Sequence, residues 1–320
     1  MPINSDKVSL WKADTRASVD QFNEWFMTFA PKAYRDTRTQ TVEDVERGLL
    51  MTEDLTSITA EIIQSSPRIL QVLRMSTCPP LARDRLIGLA DSSKNLVKVL
   101  ETGKLPPLLS PELLKQSMAR LTGVISKLLD VDIFPWLAEK RRPSPEERYR
   151  SSTIVADRLC GAIAEPIVRN AQEKRQLGLI EKYLVERGYE KKQPPRGQSL
   201  DQMECGTFTF RHNVKVQNSK TEGKTVKIPV DAVIQPKAVI LPHLPVLIEA
   251  KSAGDFTNVN KRRKEEGKKM SQLKASYGEQ VVFILFLCGY FDGGYLGYSA
   301  VDGFDWIWEH RLKDLDQLGF

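Results

Sequence analysis

Two carboxylates and an ammonium group lie close together in the last third of the sequence. Asp231 ends a Pro-Val-Asp triplet, and Glu249 and Lys251 belong to a Glu-Ala-Lys triplet further along. Residues two apart on a strand point to the same side of a sheet, so Glu249 and Lys251 share a face. The segments around both triplets, residues 227–234 and 246–251, are otherwise largely apolar. The pattern predicts two neighbouring strands that present Asp231, Glu249 and Lys251 together.

These residue types suit phosphodiester hydrolysis with a divalent metal. A carboxylate beside apolar strands is costly to bury unless it is paired or binds a cation, and oxygen ligands favour Mg²⁺. We expect Asp231 and Glu249 to hold Mg²⁺. We expect Lys251 to orient or deprotonate a water molecule, or to stabilise charge on the phosphorus. The alternative is a pair of surface strands whose charged side chains are exposed.

Elements of alternating type surround this cluster. A helical pattern runs from about residue 144 to residue 187 and ends at Gly188, which suits a left-handed cap. Strands are predicted at residues 207–216, 227–234 and 246–251, before a charged helix that ends near residue 277 and a buried strand at residues 281–288. This order resembles the core of the PD-(D/E)XK nucleases. It predicts an α/β fold with a mixed central sheet flanked by helices.

The helix before the sheet offers a further acid. Its apolar stripe, projected back at helical spacing, passes through Glu173 and is formed by Leu177, Ile180 and Leu184. In the PD-(D/E)XK fold this helix often supplies an auxiliary carboxylate, which predicts a catalytic role for Glu173, with Glu181 as the substitute. The alternative is an ion pair of Glu173 with Arg169 or Arg175.

Longer strings carry a family resemblance. They are ADRLCGAIAEPIVRNAQEKRQL at residues 156–177, PVDAV at 229–233 and LIEAKSAGDFTN at 247–258, with WF at 25–26, APKA at 30–33 and MST at 75–77. Together these strings resemble the XamI family of type II restriction endonucleases. The resemblance implies Mg²⁺-dependent hydrolysis of double-stranded DNA at a short palindrome, with GTCGAC as the first site to test. It also implies a cognate DNA methyltransferase in the same system, without a stable complex between the two.

Composition sets bounds on the class of protein. The chain has 320 residues, 41% hydrophobic and 28% charged, and a net charge of +6. These values are ordinary for a globular protein and compatible with nucleic-acid binding. The sequence predicts neither a membrane span nor a signal peptide, so we expect a cytoplasmic protein without membrane contact. Four cysteines and three histidines lie too far apart to predict a zinc site or a disulfide framework.

The first part of the chain is predicted to be helical. We expect residues 1–142 to form a helical region for DNA recognition or dimerisation, and residues 143–320 to form the nuclease core. The hinge is predicted at the Pro-Ser-Pro segment 143–145. Thr41 resembles a capped helix start. A stripe of helical spacing, predicted to lie in the core, consists of Val19, Phe22, Phe26, Phe29 and Ala33.

Two basic segments are predicted to contact DNA. At the start of the helix after Lys251, cations oppose the helix dipole unless an anion binds there, which suggests phosphate contacts for Lys261, Arg262 and Arg263. The polar residues Asn258 and Asn260 suit adenine edges. The second segment comprises Arg83, Arg85 and Lys94. The alternatives are a solvated helix face offset by Glu265 and Glu266 for the first segment, and a structural ion pair for the second.

Three functions are compatible with these motifs. The leading prediction is a sequence-specific endonuclease, and the others are a structure-specific or repair nuclease with the same core and a catalytically silent DNA-binding relative. A palindrome presents the same bond twice around a two-fold axis, so a sequence-specific enzyme is expected to act as a homodimer.

Overall fold

The computed structural model describes residues 2–107, 109–195, 199–217, 224–238, 244–257 and 259–320, with the backbone alone for residues 259–262. The chain forms two compact units. One comprises Met1–Phe29 with Arg169–Phe320, and the other comprises Ala30–Val168. The helices before the sheet are α1 (Val8–Met51), α2 (Ala60–Ser65), α3 (Ile69–Met75), α4 (Arg83–Leu89), α5 (Lys94–Glu101), α6 (Pro111–Lys127), α7 (Pro135–Glu139) and α8 (Pro145–Glu186).

In the described part of the chain, six strands form one mixed sheet in the order β1 to β6. The elements are β1 (Glu190–Lys191), β2 (Thr207–Gln217), β3 (Thr225–Ile234), β4 (Val246–Ala253), α9 (Val259–Tyr277), β5 (Phe283–Gly289), α10 (Gly293–Val301) and β6 (Asp305–Trp308). The pairs β2–β3 and β3–β4 are antiparallel, whereas the pairs β1–β2, β4–β5 and β5–β6 are parallel. The predicted α/β class with a mixed sheet and a helical amino-terminal part is confirmed.

Helices cover both faces of this sheet. Ile248 and its neighbours on β5 and β6 pack against Ile180 and Leu184 of α8. The adjacent residue Leu247 points the other way and packs with Leu273 of α9 and Leu296 of α10. Glu249 and Lys251 share the direction of Leu247 because side chains alternate along a strand. The predicted cluster therefore lies on the face that α9 covers.

The unit of residues 30–168 has its own apolar core. Helices α2 to α7 contribute most of its buried side chains, including Leu73, Leu100, Leu121 and Trp136. Ser110 caps α6 through its hydroxyl, which accepts a hydrogen bond from the Leu113 N–H, as the Ser-Pro pair at its start predicts.

The predicted boundary at residues 142 and 143 does not coincide with the two units. The first residues of the chain belong to the unit with the sheet, because the carboxylate of Asp305 on β6 accepts hydrogen bonds from the N–H groups of Ile3, Asn4 and Ser5. The segment from residue 143 to residue 168 belongs to the other unit. The assignment of DNA recognition and dimerisation to the helical region stays a prediction.

Two predictions for α1 are wrong. Thr41 does not start a helix, since α1 is continuous from Val8 to Met51 and the Thr41 hydroxyl donates to the Arg38 carbonyl inside it. The aromatic stripe is not a core stripe, because Phe22 is buried whereas Phe26 is 43% exposed. The buried positions of this part of α1 recur every four residues and are Asp14, Ser18 and Phe22.

Candidate active site

Strands β3 and β4 bring Asp231 next to Glu249. The paired residues of these strands end at Ala232 and Ile248, and Asp231 and Glu249 follow next in the same register. At this point the Ala250 N–H donates a hydrogen bond to Asp231 Oδ2 at 2.9 Å. This hydrogen bond holds the side chain of Asp231 against β4, beside Glu249.

Glu249 carries most of the contacts of the site. Its side chain is 4% exposed, and its Oε1 lies 3.0 Å from Lys251 Nζ and 2.6 Å from Lys269 Nζ. Its second oxygen, Oε2, is buried and has no hydrogen-bond partner among the described residues. The three residues predicted from the sequence are therefore brought together, and the alternative of exposed surface charges is wrong for Glu249.

Two residues of α9 and one of α10 complete the cluster, and the sequence did not predict them. Lys269 lies against Glu249, and Glu266 Oε1 lies 3.7 Å from Lys251 Nζ. Tyr295 donates to Glu266 Oε2 at 2.8 Å. The alternative of a solvated helix face has Glu266 offset charges in solvent, but Glu266 is 1% exposed. Its spacing to Met270 and Leu273, which are buried on the same helix, is the signal that places it inward.

Burial is the main cause of the raised pKa values of Asp231 and Glu266. Burial and, to a smaller extent, the negative charge of Glu249 raise the pKa of Asp231 from its usual 3.8 to about 6, against the hydrogen bond from Ala250. Burial also raises the pKa of Glu266, although Lys251 and the hydrogen bond from Tyr295 act in the opposite direction.

Lys251 remains an ammonium at neutral pH. Burial lowers the pKa of this group, but the carboxylates of Glu249 and Glu266 together outweigh burial and raise the pKa above its usual value. A lysine in this state donates hydrogen bonds and stabilises negative charge.

The auxiliary acid Glu173 does not face inward as predicted. Its side chain is partly exposed and Oε1 lies 2.9 Å from Arg211 Nε, so neither Arg169 nor Arg175 is the partner shown. Arg211 lies between Phe210 and His212, the β2 residues paired with Ala232 and Val230, and is therefore level with Asp231. The buried positions of this turn of α8 are Gln172 and Gln176. The substitute, Glu181, pairs with Lys191 at 3.0 Å.

The donor set fits a divalent cation only in part. Asp231 and Glu249 supply carboxylate oxygens on adjacent strands, and the buried Oε2 of Glu249 lacks a partner that a cation would provide. Among the described residues, however, no group of three His, Cys, Asp or Glu side chains is arranged to hold a metal. Oxygen atoms from water or from a bound phosphate would have to complete such a site.

The residues predicted to contact DNA fall into three groups. Asn258 lies outside the described residues, as do the side chains of Asn260, Lys261 and Arg262. Two arginines have partners within the protein: Arg263 pairs with Asp302 at 3.1 Å, and Arg83 pairs with the buried Glu101 at 2.5 Å. Arg85 and Lys94 are exposed.

A basic cavity over β2 was not predicted. Its volume is about 650 Å³, and its lining includes Arg211, His212, Lys215 and Lys227. Lys215 and Lys227 are paired directly across β2 and β3. Like charges in this position destabilise a sheet unless an anion lies near them.

A mixed sheet between helices, with two carboxylates and a lysine on adjacent strands, is compatible with the fold of a restriction endonuclease. The profile of the family described as XamI restriction endonuclease matches residues 53–308. The chain is 53% identical over 317 residues to the type II restriction enzyme SalI of Streptomyces albus G, with 99% of each chain covered. No solved structure gave a significant match. The chain belongs to the XamI restriction endonuclease family and is a type II restriction enzyme, a site-specific deoxyribonuclease.

Proposed function

We propose that this enzyme hydrolyses both strands of double-stranded DNA at a short palindrome, with Mg²⁺ as the cofactor and a PD-(D/E)XK core. The observation that carries the proposal is the juxtaposition of Asp231, Glu249 and Lys251 on two adjacent strands, with a buried oxygen of Glu249 that lacks a partner. Family membership supports DNA as the substrate. The first site to test is GTCGAC, which follows from the resemblance to the family.

Asp231 and Glu249 would hold the metal. A bound Mg²⁺ supplies Lewis-acid stabilisation of the negative charge that develops on the scissile phosphate. The backbone N–H of Ala250 orients the Asp231 carboxylate, and the sheet fixes the position of Glu249. Both acids have to be ionised for this role, which favours activity above the pKa of Asp231.

Lys251 would act as a donor. Its ammonium lies between Glu249 and Glu266, which keeps it charged and fixes where its remaining N–H groups point. We infer that it orients the attacking water and stabilises the phosphate oxygens in the transition state. Glu173 forms an ion pair with Arg211, which lies level with Asp231. Glu173 acts as the auxiliary acid only if this ion pair breaks.

The basic cavity is the proposed contact with the DNA backbone. Phosphates would relieve the repulsion between Lys215 and Lys227 and would pair with His212 and Arg211 at its edge. Further DNA contacts are proposed from the sequence. They are the exposed Arg85 and Lys94, and the segment with Asn258, Asn260, Lys261 and Arg262.

The assembly follows from the substrate. We propose a homodimer on the palindrome, a cytoplasmic location and a cognate methyltransferase that protects the host site. None of the described helices could span a membrane.

Digestion of unmethylated plasmids tests the function. One plasmid carries a single GTCGAC site, and a matched plasmid lacks it through one base change. Mg²⁺ should give one linear product from the first plasmid alone, and EDTA should abolish cleavage. Discrete bands from both plasmids would mean another recognition sequence, a smear would mean a non-specific or repair nuclease, and intact DNA would contradict the proposal.

A further inference from the structure

Lys269 connects the two strands that carry the acids. Its Nζ lies 2.6 Å from Glu249 Oε1 and donates to the Pro229 carbonyl at 2.9 Å. Pro229 precedes Asp231 on β3, and Glu249 lies on β4. This ammonium therefore reaches the same space between β3 and β4 that the two carboxylates border, although it comes from α9.

The distribution of contacts on Glu249 is uneven. Two ammonium groups share Oε1, while Oε2 is buried without a hydrogen-bond partner. A buried carboxylate that loses its counter-ion destabilises a protein strongly. The contact with Lys269 is shorter than the contact with Lys251, so Lys269 supplies a large share of this compensation.

A divalent cation at Asp231 and Glu249 would change this balance. It would bring two positive charges close to Lys269 Nζ, where repulsion at a partly buried site is strong. The same cation would compensate Glu249 and make the ammonium unnecessary. The two cations therefore compete for one carboxylate.

We propose that Lys269 is the counter-ion of Glu249 in the metal-free enzyme, that the divalent cation displaces it, and that Lys269 thereby sets the metal affinity. The inference rests on the proposed role of Asp231 and Glu249 as metal ligands. It makes Lys269 a positioning residue, since it acts through Glu249.

Calorimetric titration of the full chain with Mn²⁺ in the absence of DNA tests the proposal. Lys269→Met removes the charge and keeps much of the side-chain volume. We expect this variant to bind Mn²⁺ roughly tenfold more tightly than the wild type or better, because the competing ammonium is gone. Lys268→Met is the matched control, since Lys268 is exposed on the same helix and its loss changes the net charge equally. It should change the affinity by less than about threefold.

Further variants keep the test decisive. Lys269→Arg retains a cation and should bind Mn²⁺ nearly as the wild type does. If Lys269→Met does not fold without metal, Lys269→Gln is titrated instead, and Mn²⁺ should raise its melting temperature more than that of the wild type. Equal affinity in the wild type and in the neutral variants, or no binding by either, would overturn the proposal.

Asp231→Asn and Glu249→Gln separate this inference from the proposed function. Loss of Mn²⁺ binding in both variants, with unchanged affinity in Lys269→Met, would overturn the role of Lys269 alone. Undiminished binding in both would overturn the metal site itself.

Discussion

The charge of Asp231 changes within an accessible pH range. Burial raises its pKa from 3.8 to about 6. The folded protein therefore binds this proton more tightly than the unfolded chain does. The stability that results is complete below about pH 4 and is lost as the pH rises through 6.

Asp231→Asn should reverse this loss. We expect the variant to melt at a higher temperature than the wild type at pH 8 in EDTA, because it buries no charge, and we expect the difference to shrink towards pH 4. Thermal unfolding across this range measures it. Asp20→Asn, on an exposed position of α1, controls for the loss of one negative charge. A difference that does not change with pH would contradict the raised pKa.

The positions of single site residues were predictable only on strands, where the alternation of side chains determines which face each residue occupies. Asp231, Glu249 and Lys251 lie together because the register of β3 and β4 follows from their apolar faces. Lys269 and Glu266 could not be assigned in the same way, since they belong to a charged run that also fits a solvated helix. Their role depends on which side of the sheet α9 covers. The predicted inward position of Glu173 is wrong because Gln172 and Gln176 occupy the buried positions of this turn of α8.

At the scale of elements, the end of β5 has one backbone position that requires glycine. Gly289 has a φ of +100°, and a Cβ there would lie 2.1 Å from the Ala253 carbonyl oxygen of β4. Its N–H donates to Ser18 Oγ at 2.8 Å. The ends of β4 and β5 thus approach more closely than a side chain permits.

Gly289→Ala should destabilise the protein by about 2 kcal/mol or more, because both the conformation and the close approach oppose a Cβ. Chemical denaturation measures the change. Gly178→Ala is the matched control, since Gly178 is a helical position of α8 with nothing within 4 Å. It should stabilise by up to about 1 kcal/mol. Equal effects of the two substitutions would show that the ends of β4 and β5 leave room for a Cβ at position 289.

Element types were predictable where periodicity was strong. The predicted strands and the long helix ending before Gly188 match β2, β3, β4, β5 and α8, and Gly188 has the expected positive φ of 72°. The start predicted at Thr41 failed because a Thr with acids after it also fits a helix interior, where its hydroxyl bonds to the preceding turn. Local sequence does not distinguish the two positions.

For the complete enzyme, the number of active sites needed on one DNA duplex sets the expected number of chains bound to it. Each chain has one Asp231, Glu249 and Lys251 cluster, and we propose that one cluster cuts one strand at a time. We expect two chains on one palindromic duplex, which light scattering of the complex in Ca²⁺ measures. The plasmid product should be linear rather than nicked. One chain per duplex with a nicked product would contradict the dimer.

The division of the chain was not predictable from composition. The Pro-Ser-Pro segment was expected to separate two domains, but the contacts of Asp305 place the first residues of the chain in the unit with the sheet. Such contacts join residues about three hundred positions apart. No local sequence pattern predicts such long-range contacts.

We propose that Asp231, Glu249 and Lys251 perform the chemistry of this restriction enzyme. The direct measurement compares cleavage of a plasmid in Mg²⁺ with binding of the same site in Ca²⁺ for Asp231→Ala, Glu249→Ala and Lys251→Ala, each shown to be folded. We expect cleavage to fall by about a thousandfold or more in each, with binding largely retained and with a milder loss for Glu173→Ala. Cleavage at the wild-type rate by folded Asp231→Ala or Glu249→Ala would show that these carboxylates are not the active site.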